Sequence, residues 1–193
     1  DGGKLGTTDG GVVGPTGTPS PPAALPASSG TGVGVVGPGG TVGMVTTNGE
    51  ISTYDDETGG FVPAGSLPNY PNDATSVTFG DVDGDGDMDI VVTTGPGSYS
   101  RLYINDGEGG FGTFGRPISQ ETLDAQTSEI VDLNGDGFMD IIVGNADGKD
   151  YVYYGPAPQG RPGAELDDLG GVGNKPPSTS SIATGDIDGD GDI

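Results

Sequence analysis

The sequence predicts an all-β protein: a β-propeller-like array of about three four-stranded blades plus the start of a fourth. Three observations carry that reading. The 41 Gly and 16 Pro make up about 30% of the 193 residues, and these are the two poorest helix formers. Short β-branched and aromatic runs are bounded by Gly, Asp, Asn and Pro, as strands require. The pattern also repeats. Acidic loops begin at Asp81, Asp132 and Asp186, spaced 51 and 54 residues apart. The segment from Asp56 to Phe61 matches that from Asp106 to Phe111, 50 residues later. Four-stranded repeats of ~40–50 residues are the sequence signature of propeller blades. A single blade leaves both faces uncovered, so neighbours must stack.

The elements follow in order. Residues 1–31 form a Gly/Pro/Ser/Thr-rich arm or linker, too poor in bulky apolar residues to make a core. Blades are expected over 32–193, near 32–70, 75–123 and 127–175, with a partial fourth at 181–193. The first blade opens with VGVV (33–36) and TVGMVTT (41–47), joined by the bare turn Gly37 to Gly40. In the second, SVTF (76–79) enters an acidic loop and IVVTT (90–94) leaves it. RLYIN (101–105) follows, and a weaker fourth strand is expected near Phe111. The third blade reads EIV (129–131), IIVG (141–144) and YVYYG (151–155), and the fourth begins with IAT (182–184).

Composition excludes several chemistries. The chain has no Cys, His or Trp, which removes disulfides, Cys/His zinc sites, His triads and Cys nucleophiles. Six Lys+Arg against 29 Asp+Glu give a formal charge of −23. Such a surface repels nucleic acid and anionic membranes. No apolar run approaches the ~20 residues of a membrane span. Asp1 rather than Met opens the chain, without a signal-like segment, so a mature or trimmed piece is expected. No N-x-Ser/Thr sequon occurs, but Thr16, Thr18, Ser20, Ser28 and Ser29 sit in a Pro-rich stretch suited to O-glycosylation.

Twelve of the 29 acids lie in the three loops. At this density they repel one another unless a cation sits among them. The first loop carries Asp81, Asp83, Asp85 and Asp89 at positions 1, 3, 5 and 9, with Gly86 at position 6. This is the rhythm of an EF-hand loop, shortened so that the closing carboxylate comes at nine. Positions 1, 3 and 5 each offer an oxygen, and Asp87 at position 7 offers its backbone carbonyl. Position 9 can bind with both oxygens, and Gly at 6 permits a sharp turn. The second loop offers Asp132, Asn134, Asp136 and Asp140, with the carbonyl of Phe138. The third offers Asp186, Asp188 and Asp190, with the carbonyl of Asp192, and its position 9 lies past Ile193. All-oxygen ligands on a flexible loop favour Ca²⁺ over Mg²⁺ or Zn²⁺. Two complete sites and one incomplete third are expected.

GDVDGDGDMDIVV followed by RLYINDGEGGF resembles an FG-GAP/VCBS-type repeat, as in the propeller head of integrin alpha subunits. VDLNGDGFMDIIVGNADGKDYVYYG and GDIDGDGDI fit the same pattern. The resemblance covers roughly 32–193. It implies extracellular blades holding Ca²⁺ between their first two strands, on the residues named above. The first unit departs from it by lacking an acidic loop, and the family usually closes seven blades.

The function expected is a non-enzymatic, extracellular, calcium-binding structural or adhesive module, secreted or at the cell surface. A subunit of a surface fibre or filament is one form of it. The alternative is a carbohydrate- or protein-binding propeller accessory to a secreted enzyme. The expected partners are other copies of the chain or the missing part of a longer one, with a glycan or protein as ligand. The alternative calls for exposed aromatics, whereas Tyr99, Tyr103, Tyr151, Tyr153 and Tyr154 read as strand residues.

Overall fold

The computed structural model describes residues 33–36, 42–55, 57–108, 110–146, 149–155, 166–168, 178–189 and 193. The arm at 1–31, with its five candidate glycosylation positions, lies outside them, as do Asp190 and Asp192. Among the described residues there is no helix, and none is therefore long and apolar enough to cross a membrane.

Among the described residues twelve strands form three antiparallel four-stranded sheets, each a simple meander in chain order. The first holds β1 (Val33–Val36), β2 (Val42–Val45), β3 (Glu50–Asp55) and β4 (Gly60–Ser66). The second holds β5 (Ala74–Gly80), β6 (Asp89–Thr94), β7 (Arg101–Tyr103) and β8 (Arg116–Pro117). The third holds β9 (Ala125–Val131), β10 (Asp140–Asn145), β11 (Tyr151–Tyr153) and β12 (Leu166–Asp168). The first strands lie side by side, β1 by β5 and β5 by β9. This is the propeller-like arrangement that the repeat predicts.

Two expectations are corrected. The fourth strand of the second sheet begins at Arg116, not near Phe111. The Asp106 carboxylate accepts the N–H groups of Glu108 (3.0 Å) and Gly110 (2.8 Å), holding that segment in a turn. Phe111 then packs against the core shared by the first and second sheets instead of entering a ladder. Pro117 sits on the edge strand, where its missing N–H costs no ladder bond. Residues 182–184 likewise form no ladder among the described residues, although Ile182 packs against Val131, Ile142 and Val152.

Stacking explains the composition of the central strands. Every residue of β6 and β10 is buried. Successive side chains point to opposite faces. Ile90 and Val92 therefore join Val45 and Ile51 of the first sheet and Leu67 just past it, while Val91 joins Ile141, Val143 and Tyr153 of the third. On β7, Leu102 faces the third sheet and Tyr103 the first. Polar links accompany this core. Thr75 Oγ1 donates to the Ala125 carbonyl (2.7 Å) and Thr78 Oγ1 to that of Ser128 (2.9 Å), each pair 50 residues apart. Equivalent residues lie 51 apart, since Gly80 pairs with Asp89 and Val131 with Asp140, so both bonds join neighbouring first strands one residue out of equivalence.

Leu102 is fully buried between the second and third sheets. Leu102→Ala should cost about 2–5 kcal/mol of unfolding free energy, read by urea denaturation. A loss under about 1 kcal/mol would mean that the sheets do not depend on one another.

Candidate metal centre

Each of the first two acidic loops links the first strand of a sheet to its second, β5 to β6 and β9 to β10. Alternating Asp and Gly residues prevent any regular element there, and the side chains satisfy the backbone instead. Asp81 accepts the N–H groups of Gly84 (2.8 Å) and Gly86 (3.0 Å). Asp85 accepts that of Asp87 at 3.0 Å. Gly86 has φ 97° and Gly137, its equivalent in the second loop, φ 90°, a region costly for a residue with a Cβ. The turn expected at position 6 is present in both loops.

The position 9 carboxylates have a further role. Asp89 and Asp140 are fully buried. One oxygen of Asp89 accepts the N–H of Val82 (2.8 Å) and the other that of Asn105 (2.9 Å). Asp140 repeats the pattern with Leu133 (2.9 Å) and Gly155 (2.7 Å). Each therefore ties the start of its loop to the end of the third strand. Both oxygens are engaged, so a cation would meet only their remaining lone pairs. Asn105 was not legible as part of this arrangement. Its side chain also donates to the Met88 carbonyl at 3.2 Å.

In the first loop, Asp81, Asp83 and Asp89 each present an oxygen within 4.8 Å of the others, a group that could hold a metal ion. Asp83 Oδ1 is buried and has no hydrogen-bond partner among the described residues. An orphaned carboxylate oxygen beside two others is a donor set that fits a hard cation. Asp85 stays exposed and outside the group, and Asp87 is half-buried. Burial pushes the Asp89 carboxyl up to about 6, the Asn105 and Val82 N–H groups oppose this, and the charges of Asp83 and Asp85 add to it. Asp83 is also raised, first by burial and then by Asp85.

The second loop has the same backbone pattern. Asp132 accepts the N–H groups of Asp136 (3.1 Å) and Gly137 (2.8 Å), and Asp136 that of Phe138 (2.9 Å). Asn134 occupies position 3, and its amide donates to Asp136 at 3.0 Å. Among the described residues, Asp132, Asp136 and Asp140 do not come together as the first group does. In the third loop Asp186 accepts the Gly189 N–H, while Asp186 and Asp188 are exposed.

The repeat geometry agrees with the comparisons. The profile of the FG-GAP-like repeat matches three times, over residues 42–92, 81–143 and 132–193. The chain belongs to this family. The first two matches each run from one sheet into the next, so the FG-GAP unit straddles neighbouring sheets there, and the second and third matches begin at Asp81 and Asp132, the first residues of the acidic loops. Comparison with curated proteins found no match.

The Asp89 value implies a pH dependence for this FG-GAP chain in chelator. Between the ordinary aspartate value of 3.8 and about 6, the folded state binds the proton and the unfolded state has released it. Stability should therefore fall as pH rises through that window, by about 3 kcal/mol from this group. Urea unfolding from pH 4 to 7 in chelator, compared with Asp89→Asn, reads it out. A wild-type minus variant difference independent of pH would show that Asp89 titrates normally.

Proposed function

We propose that this chain is a non-enzymatic, calcium-stabilised structural or adhesive module of an extracellular protein. The observation that carries this is the convergence of Asp81, Asp83 and Asp89, with a buried Asp83 oxygen that no hydrogen bond among the described residues satisfies. Asp85 and the Asp87 carbonyl would complete the first site. Asp132, Asn134, Asp136, Asp140 and the Phe138 carbonyl would form the second. The all-oxygen donor set supports Ca²⁺, since Mg²⁺ demands a tighter octahedron and Zn²⁺ prefers nitrogen or sulfur. The ion would offset the burial and, secondarily, the neighbouring charges that raise Asp83 and Asp89, and would tie each loop to its sheet. An ion bound only by the folded state stabilises it by mass action, about 2.7 kcal/mol at a hundredfold excess over Kd. Membership of the FG-GAP-like family supports an extracellular setting and a binding or structural role.

Calcium should raise the melting temperature, and excess chelator should lower it. Asp83→Ala should remove the first loop's share of that gain while leaving the chelated protein as stable as wild type or slightly more so, because it relieves repulsion within the cluster. Calorimetric titration with CaCl₂ and thermal scans in calcium and in chelator give both readings. Identical melting curves with and without calcium, in protein shown to be metal-free, would end the calcium assignment.

A further inference from the structure

The ends of β5 and β6 opposite the acidic loop carry a second feature. The ladder pairs Gly80 with Asp89 at the loop end and Ala74 with Thr94 at the other. At that other end, the segment entering β5 and the turn between β6 and β7 enclose a cleft of about 440 Å³. Its walls include Tyr70, Asn72, Asp73, Ser98, Tyr99 and Arg101. The reading of all the later tyrosines as strand residues fails here, since Tyr99 lies outside any strand and is 42% exposed.

The walls are held from within. Tyr70 is half-buried, and its ring occupies the space beside Gly49 where a Cβ would come within 2.5 Å. The Gly95 N–H donates to the Asp73 carbonyl at 3.0 Å, tying one wall to the other. Ser100 Oγ accepts the Thr94 N–H at 3.1 Å and closes the turn that carries Tyr99. Arg101 is anchored by its bond to the Gly115 carbonyl at 2.9 Å. Such bracing lowers the ordering cost of binding.

The lining selects the ligand. It has no aliphatic side chain other than Pro71, which argues against a lipid or an alkyl group. A single Arg beside an Asp, in a chain of net charge −23, argues against a phosphate. Two phenol rings with amide, hydroxyl, carboxylate and guanidinium groups suit a molecule with an apolar C–H face and a rim of hydroxyls. We propose that this cleft binds a neutral saccharide, one pyranose ring resting against Tyr99 with its hydroxyls bonded to Asn72, Asp73 and Ser98. The site is separate from the acidic loops, so it stands or falls independently of the calcium assignment.

The test is saturation-transfer NMR on the full chain in calcium buffer, with chitotriose, cellotriose, mannotriose and galactotriose as probes and an arginine-rich peptide as competitor. At least one trisaccharide should bind. Tyr99→Ala and Asn72→Ala, both at exposed positions, should each weaken it about tenfold with unchanged melting temperature. No transfer to any trisaccharide at about 10 mM, a limit near −3 kcal/mol, would overturn the proposal. So would binding that survives both substitutions. Binding of the peptide alone would assign the cleft to a protein partner and equally overturn it.

Discussion

Asp89 and Asp140 each bury a carboxylate completely, whereas the other acids among the described residues lie at or near the surface. A buried carboxylate must have its oxygens satisfied or shed its charge. Here each oxygen accepts a backbone N–H, one from the start of the acidic loop and one from the end of the third strand. The loop, the central strand and the following hairpin are thereby joined at one point. Val82 carries the link outward, since its N–H binds Asp89 while its side chain packs in the core shared with the third sheet. Leu133 occupies the same place relative to Asp140 and packs beside Val131, Ile142 and Val152. Loop conformation and blade packing are therefore coupled in both repeats.

The same geometry sets the electrostatics. The hydrogen bonds that Asp89 accepts lower its proton affinity, yet burial and the neighbouring charges of Asp83 and Asp85 outweigh them. The loop thus holds concentrated negative charge in a partly desolvated place, a condition that favours a divalent cation or a proton. Asp106 shows the opposite balance. It is exposed, and the N–H groups of Gly110 and Glu108 hold its carboxyl below the usual aspartate value. Two aspartates of the same blade, one in the β6 strand and one in the turn after β7, thus serve as clamp and as turn-maker, according to whether water still reaches them.

Sheet stacking divides the protein's two features between opposite ends of the strands. Acidic loops stand where the first strand of a sheet ends, and the cleft stands where it begins. The core between them consists of strands buried on both faces, which keeps either end in register with the other.

Much of this was legible in the sequence, because period-2 strands, Gly-rich turns and a 50-residue repeat are local signals. Residues 90–94, 101–103 and 141–144 needed only β-branched and aromatic runs between turn formers. The acidic loops needed only their Asp and Gly spacing, and the positive φ at Gly86 and Gly137 follows from it. A fourth strand near Phe111 is what the sequence leads one to expect, and only the packed core shows that its side chain turns into the hydrophobic cluster instead. The burial of Asp89, the part played by the Asn105 N–H, and the meeting of Tyr70 with Tyr99 across a cleft join residues 16 to 29 positions apart. No local pattern marks such pairs, because their distance is set by which sheets stack and in what register. Composition and spacing therefore determined the strands and the donor chemistry. Tertiary packing decided which carboxylates lose water, which oxygens converge and which tyrosine is left exposed.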